Sequence, residues 1–303
     1  MKIIANNIDI EVEDTGAQPL QANGQARPVV LLIMGLGMQL VAWPPELVTS
    51  LVGAGYRVIR HDNRDMGLSQ HFDHLGKPNV LWASLKYKLG LSITPPYSLH
   101  DMAMDAIGVL DALQIDKAHI VGASMGGMIA QRVAIAASSR VLSLTSIMSS
   151  SGARGLPQAK PEVMRALLSR PKSHALEKVA DYYVNFFKII GSPGFAADPG
   201  ETREHIFTGL KRSYHPEGTL RQMMAIAADE KRHHDLAKIT SPTLVIHGKH
   251  DPLVPHGNGS DTAKRIKGAQ LISIDGMGHD LPPGVVTHLL DNMLPFFAKF
   301  EAS

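Results

Sequence analysis

The chain has 303 residues, 44% of them hydrophobic, and its 30 basic side chains nearly balance 28 acidic ones, for a formal net charge of +2. This composition excludes an intrinsically disordered chain, and without a long basic run it also argues against nucleic acid as a partner. Because cysteine is absent, disulfides and thiol catalysis are excluded, which is consistent with a reducing cytoplasm.

The N-terminal region does not resemble a secretory signal. It turns polar within five residues of Met1, too early for the apolar segment of a signal peptide. The longest apolar run, from Val29 to Met38, is about half the length that a membrane-spanning helix needs. We therefore expect a cytoplasmic protein without a membrane span.

Most of the chain alternates between strand-like and helix-like patterns. Residues 3–13 are predicted to form a β-hairpin whose turn lies at Asn6 and Asn7. Further strands are predicted at 29–34, 56–61, 118–122, 140–148, 242–247 and 269–274. Helices are predicted between and after them, near 44–54, 98–114, 125–138, 258–267 and 284–300. This alternation is typical of an α/β fold with a mostly parallel central sheet and helices on both faces.

The alternation is interrupted between residues 149 and 239. Helical patterns in this segment are separated by prolines, and no part of it has a convincing strand pattern. We interpret it as a helical cap, or lid, inserted over the carboxyl ends of the strands. Residues 1–148 and 240–303 are accordingly predicted to form the core, with 149–239 as the insertion.

A serine in a glycine-bracketed turn is the most informative feature of the sequence. Ser124 lies in Gly122-Ala123-Ser124-Met125-Gly126, between a predicted strand and a predicted helix. A Gly-x-Ser-x-Gly in this context is typical of the nucleophile elbow of a serine hydrolase, a strained turn that exposes the hydroxyl at the sheet edge. Glycine is needed on both sides because a side chain there would collide with the neighbouring backbone.

A serine nucleophile requires a histidine base and a carboxylate that orients it, here in the order serine, acid, histidine. Asp251 lies on the loop after the strand predicted at 242–247, and His279 lies in a glycine-bracketed loop after the last predicted strand. Both are expected at the carboxyl edge of the sheet, where ligands bind in open α/β folds. We assign Asp251 as the acid and His279 as the base, with His247 and His250 as alternative candidates for the base.

Acyl transfer also requires donors for the negative charge that develops on the carbonyl oxygen. The main-chain N–H of Met125, directly after the serine, is one candidate donor. The loop after the strand at 29–34 should supply the other, and the N–H of Leu36 is the best candidate within it.

These motifs resemble those of the α/β-hydrolase superfamily over almost the whole chain. Residues 60–69 also resemble the family's Asp-x-Arg-x-x-Gly-x-Ser loop after the fourth strand. Most members carry His-Gly where this chain has Met34 and Gly35, so other contacts must hold the oxyanion loop. The Met-Gly at this place and the long segment 82–97 resemble the corresponding parts of the branch that contains anthracycline methyl esterases.

The resemblance implies an esterase that cleaves carboxylic esters of small molecules, with an apolar acyl group, through an acyl-enzyme intermediate and without a cofactor or metal. Carbon–carbon, thioester or lactone hydrolysis would use the same triad, and a ligand-binding receptor on a hydrolase scaffold is a further alternative. The histidines and aspartates at 233–235 and 61–62 lack partners at metal-ligand spacing, so no metal site is predicted there.

Overall fold

A computed structural model describes residues 1–16, 27–89, 91–169, 171–229 and 231–300. Eight strands form its central sheet: β1 (Lys2–Ala5), β2 (Ile8–Asp14), β3 (Val29–Ile33), β4 (Arg57–His61), β5 (Ala118–Ala123), β6 (Val141–Ile147), β7 (Thr243–Gly248) and β8 (Gln270–Ile274). Their order across the sheet is β1-β2-β4-β3-β5-β6-β7-β8. Only β2 with its neighbours β1 and β4 pairs antiparallel, and the other neighbours are parallel. The α/β fold with a mostly parallel sheet is therefore confirmed.

The helices of the described residues are α1 (Pro45–Gly53), α2 (Val80–Lys88), α3 (Leu99–Ala112), α4 (Met125–Ala136), α5 (Pro161–Leu168), α6 (Leu176–Ile190), α7 (Pro199–Arg212), α8 (Pro216–Ala228), α9 (Arg232–Asp235), α10 (Gly257–Arg265) and α11 (Pro283–Phe297). Each helix predicted outside the insertion is present, and α2 is an additional one. None of the described helices has the length and apolar character needed to cross a membrane.

Buried side chains cover both faces of the sheet, and β3 shows how they are divided. All five residues of this strand are buried, as expected for the centre of a parallel sheet. Because successive side chains of a strand point to opposite faces, Leu31 and Ile33 join one core cluster and Val30 and Leu32 the other. The first cluster includes residues of α3 and α4, and the second includes residues of α1 and α11.

Helices α5 to α9 occupy the insertion between β6 and β7, and the described residues of this segment contain no strand. Pro161, Pro199 and Pro216 stand at the beginning of α5, α7 and α8. Proline is favoured there because its fixed φ suits the first helical turn and its missing N–H has no intrahelical role. These prolines therefore begin helices in the insertion.

A buried ion pair joins the insertion to the core. Arg221 on α8 donates two hydrogen bonds to Asp65, in the loop after β4, with N–O distances of 2.8 and 2.9 Å. Both side chains are completely buried. Burial alone would raise the pKa of Asp65, but the hydrogen bonds from Arg221 and from the backbone of Phe72 hold it below its ordinary value. Asp65 stabilises its loop through this pair.

We predict that Arg221→Met lowers the free energy of unfolding by about 3–5 kcal/mol, because it leaves a buried carboxylate without its partner. Arg203→Met is the matched control, since Arg203 and Asp181 form an ion pair whose side chains are 41% and 47% exposed. Its loss should change stability by about 0–1 kcal/mol. Urea unfolding of the two variants measures the difference. Equal effects would show that the buried pair has no special role.

Two histidines of the sheet are buried in its core. His119 on β5 stacks on the ring of Phe297 and contacts the edge of Tyr56, with Nδ1 2.8 Å from Ser143 Oγ. Burial lowers the pKa of His119 to about 4, and burial likewise lowers that of His61 on β4 to about 4. In the unfolded chain the pKa of a histidine is about 6.5, so acid stabilises the unfolded state relative to the folded one.

The resulting prediction concerns stability below neutral pH. As the pH falls from about 6.5 to 4, His119 should destabilise the fold by up to about 1.4 kcal/mol per pH unit. The wild-type protein should therefore lose more stability over this range than His119→Gln does. Unfolding by urea at several pH values measures this difference, and His100→Gln, at an exposed histidine, is the control. If the stability difference between His119→Gln and wild type does not change with pH, His119 does not contribute to acid unfolding.

Candidate active site

Ser124 alone separates β5 from α4, in a backbone conformation (φ 55°, ψ −120°) that non-glycine residues rarely adopt. A Cβ at Gly122 would lie only 2.1 Å from the carbonyl oxygen of Gly126, and a Cβ at Gly126 only 1.9 Å from that of Ile33. The strand, the turn and the helix thus pack too closely for a side chain at either glycine. This geometry is that of the predicted nucleophile elbow.

The structure brings the three predicted triad residues together. His279 Nε2 lies 3.0 Å from Ser124 Oγ, and His279 Nδ1 lies 2.7 Å from Asp251 Oδ2. The three residues follow β5, β7 and β8, whose carboxyl ends meet at one edge of the sheet. The histidine therefore bridges a serine and a carboxylate that are more than a hundred residues apart in sequence.

Asp251 is almost completely buried, and both of its carboxylate oxygens have partners. Oδ1 accepts hydrogen bonds from the N–H groups of Leu253 and Val254, at 2.9 and 2.8 Å, while Oδ2 faces His279. Burial alone would raise the pKa of Asp251, but the charge on His279 and the hydrogen bonds of both neighbouring histidines hold it below its ordinary value. The carboxyl group is thus kept in its charged form, which is the form that orients an imidazole.

The two alternative candidates for the base lie elsewhere. His247 is buried; its Nε2–H donates to the carbonyl oxygen of Val254 at 2.7 Å and lies 3.4 Å from Asp251 Oδ2. It therefore approaches the same carboxylate oxygen as His279, but at a longer distance than the 2.7 Å of His279 Nδ1. His250 is about half exposed and accepts a hydrogen bond from the N–H of Gly276. Of the three histidines, His279 is the one within hydrogen-bond distance of Ser124 Oγ.

The last residue of α6 and the segment that follows it hold the His279 loop. The N–H of His279 donates to the carbonyl oxygen of Ile190 at 2.7 Å, and the N–H of Gly278 donates to Ser192 Oγ at 2.9 Å. A Cβ at Gly278 would lie 2.3 Å from the carbonyl oxygen of Gly191, so only glycine permits this close backbone approach. The insertion thereby sets the position of a predicted catalytic loop, and no local sequence pattern indicated this role for Ser192.

The loop that carries the predicted oxyanion donor Leu36 lies against the serine. A Cβ at Gly35 would be 3.2 Å from the Cβ of Ser124. In the part of the chain that the structure describes, the N–H groups of Leu36 and Met125 donate to no acceptor. That of Met125 is free because the first N–H groups of a helix have no intrahelical partner. Neither N–H group is thus committed to another acceptor in the described residues.

Three possible metal-ligand side chains, none of them in the predicted triad, meet in the structure. Atoms of His71, Asp73 and His215 lie within 4.8 Å of one another. The two imidazole rings, however, are stacked, with centroids 3.9 Å apart and planes inclined by 7°. An ion lies close to the plane of each imidazole that binds it, so stacked rings do not share one ion. Arg221 also donates a hydrogen bond to His215 Nε2 and thereby occupies its lone pair.

Comparisons with known proteins show to which family the chain belongs. The family model of the α/β-hydrolase fold matches residues 28–282. The rhodomycin D methylesterase of Streptomyces sp. strain C5 is 30% identical over 275 residues, which cover 84% of this chain and 86% of that protein. A 2-hydroxy-6-oxononadienedioate/2-hydroxy-6-oxononatrienedioate hydrolase of Cupriavidus pinatubonensis is 27% identical over 280 residues, covering 89% of this chain and 84% of that protein.

A solved structure has the same fold over the whole chain. The meta-cleavage product hydrolase of Pseudomonas fluorescens IP01 has a TM-score of 0.71 and 21% sequence identity, and the match covers 99% of this chain and 97% of that one. Since the family model spans most of the sequence and the relatives are matched over most of their length, the chain belongs to the α/β-hydrolase fold family.

Proposed function

We propose that this protein is a serine hydrolase that cleaves carboxylic esters through an acyl-enzyme intermediate. The observation that carries the proposal is the continuous hydrogen-bonded chain from Asp251 through His279 to Ser124. A serine hydroxyl is a weak nucleophile at neutral pH, and a histidine oriented by a carboxylate is the arrangement that activates it.

In the proposed reaction, Ser124 Oγ attacks the ester carbonyl carbon while His279 Nε2 takes the hydroxyl proton. The same nitrogen then protonates the leaving alcohol as the carbon–oxygen bond of the ester breaks, which leaves the acyl group on Ser124. Water attacks this acyl-enzyme, giving its proton to His279, and the acid is released with Ser124 restored. Asp251 holds the imidazole in the required tautomer and stabilises its protonated form.

The charge on the carbonyl oxygen is proposed to be stabilised by the N–H groups of Leu36 and Met125. Both are free of other acceptors in the described part of the chain; Met125 follows the serine at the start of α4, and Leu36 lies on the loop after β3 that packs against the serine. The N-terminus of α4 adds a favourable dipole, because helix N-termini carry partial positive charge. Preorganised donors of this kind act mainly in the transition state, where the charge develops.

Two features support an ester as the substrate. The methylesterase relative matches most of this chain. The loop of residues 34–37 also begins with Met-Gly, the sequence that resembles that branch. We further propose that residues 149–239 form a cap over the site and select the acyl and alcohol groups. Its contacts with the His279 loop and with the loop after β4 support this placement.

A second candidate function is carbon–carbon bond hydrolysis, because the Cupriavidus relative is named as a hydrolase of this class. It is 27% identical to this chain over most of its length. The same triad serves both reactions. A panel of simple esters of graded acyl length, assayed beside a vinylogous 1,5-diketone, separates them: an esterase hydrolyses the esters at higher kcat/KM, whereas the reverse preference would favour the second candidate.

The proposed mechanism predicts covalent labelling at one residue. A phosphonate that mimics the tetrahedral intermediate should form one adduct per chain, on Ser124, and Ser124→Ala should abolish both labelling and turnover. Mass spectrometry of the intact chain and of its peptides measures this. A strong chelator should leave hydrolysis unchanged, since no step uses a metal.

Labelling on another residue, or activity that is lost on chelation and restored by zinc, would overturn the serine mechanism. Stoichiometric binding of an ester without turnover by the wild-type protein would instead favour a ligand receptor on this scaffold.

The acid is tested by Asp251→Asn, which keeps the size of the side chain but favours the wrong imidazole tautomer. We expect kcat to fall by about 10⁴-fold, as for the corresponding change in a known triad. Asp275→Asn is the control, because Asp275 follows β8 in the same loop as His279 but its side chain is 77% exposed. Circular dichroism should be unchanged in both variants. Full activity in Asp251→Asn would place the acid elsewhere.

A further inference from the structure

One buried amide on α8 connects three segments of the chain. Gln222 is completely buried, and its Oε1 accepts a hydrogen bond from the N–H of Gly37 at 3.0 Å. Its Nε2 donates to the carbonyl oxygen of Arg64 at 2.9 Å. Gly37 lies in the loop after β3, Arg64 lies in the loop after β4, and Gln222 lies in the insertion, 185 residues from Gly37.

The loop after β3 depends on such outside partners. Met34, Leu36 and Met38 have side chains without a hydrogen-bonding group that could hold the backbone, and the two residues between them are glycines. Its own backbone supplies one long hydrogen bond, from the N–H of Met38 to the carbonyl oxygen of Gly35 at 3.3 Å. Glycine-rich loops are conformationally permissive, so without fixed contacts this loop would sample other arrangements.

The hydrogen bond to Gly37 bears directly on the proposed oxyanion donor. Because a peptide unit is planar, the N–H of Gly37 and the carbonyl of Leu36 move together. Fixing the peptide plane between Leu36 and Gly37 restricts the backbone rotation of Leu36. The N–H of Leu36 itself belongs to the preceding peptide plane, between Gly35 and Leu36. Thr219, one turn earlier on α8, restricts the loop further, since a Cβ at Gly37 would lie 3.0 Å from its side chain. Helix α8 thus contacts the loop at two neighbouring points.

We propose that Gln222 is a positioning residue, which holds the N–H of Leu36 at the place where the oxyanion forms. The inference rests on the proposed serine mechanism. Gln222 acts through Gly37, and its amide oxygen and nitrogen bind Gly37 and Arg64 respectively. The donors must lie within hydrogen-bond distance of the developing oxyanion. A small displacement of the loop therefore weakens binding of the transition state more than binding of the substrate.

The test replaces the amide by an apolar side chain of similar length. Gln222→Met leaves the N–H of Gly37 and the carbonyl of Arg64 without this partner, so the loop is expected to shift. We expect kcat for a simple ester to fall about 10- to 100-fold, which is less than the loss of a donor outright. KM should stay within about twofold, because the oxyanion is absent from the bound substrate.

Gln131→Met is the matched control. Gln131 is also completely buried; its amide donates to Ser146 Oγ and to the carbonyl oxygen of Ser150, and its Oε1 accepts from Arg232. It lies on α4, and none of these partners belongs to the loop after β3. The same substitution there removes three buried hydrogen bonds, against two at Gln222. Its kcat should remain within about twofold of wild type, even if its thermal stability falls as much as that of Gln222→Met.

The affinity for a reversible trifluoromethyl ketone distinguishes a positioning role from a purely structural one, which would leave this affinity unchanged. The ketone forms a hemiketal with Ser124 whose oxyanion needs the same donors. Its affinity should fall in Gln222→Met by about the same factor as kcat, while the shape of the pH–rate profile stays that of wild type. If Gln222→Met does not fold, Gln222→Asn is used instead, since it keeps the amide but is one methylene too short to reach both partners.

The inference is overturned if the Gln222 variant loses no more kcat than Gln131→Met, or if its affinity for the trifluoromethyl ketone is unchanged. Failure of the proposed function gives a different result, because Ser124→Ala would then remain active. A Ser124→Ala variant that is inactive, beside a Gln222 variant that behaves like the control, would overturn the positioning role alone.

Discussion

The candidate site depends on one close approach of backbone, at the turn between β5 and α4. Gly126 lies against the carbonyl of Ile33 so closely that no side chain fits between them, and Ser124 takes up the strained conformation that this packing requires. The strain is retained because the sheet on one side and the helix on the other both fix the turn. The hydroxyl is held above the strand ends, next to Gly35 in the loop after β3.

The order of the strands then brings the remaining groups to the serine. β3, which leads to the loop that carries Leu36, is the neighbour of β5 on one side, while β7 and β8 lie on the other side, beyond β6. Parallel strands end at the same edge of a sheet, so the loops that carry Leu36, Asp251 and His279 open toward one place. The strand order thus brings three distant parts of the chain to one edge of the sheet.

The insertion nevertheless holds this site in place at two points. The segment after α6 binds the backbone of the His279 loop, and α8 binds the oxyanion loop through Gln222 and the loop after β4 through Arg221. If the insertion moved away, buried hydrogen-bonding groups would lose their partners, at a free-energy cost of about 1–3 kcal/mol for each buried group. Movement of the insertion is therefore coupled to the geometry of two loops beside Ser124.

The periodic strands and helices, the hairpin at Asn6 and Asn7 and the tight turn at Ser124 were all predictable, because each depends on residues close together in sequence. Helix α2 was not, since its large apolar residues Trp82 and Leu85 are exposed rather than packed against the core. The sequence by itself determined the fold class, the candidate nucleophile and the positions of its candidate partners. Only the tertiary structure decided which of three histidines faces the serine and showed that Ser192, Arg221 and Gln222 hold the surrounding loops. The physical reason is that these contacts join segments tens to hundreds of residues apart, and a lone buried polar side chain leaves no periodic signal in the sequence.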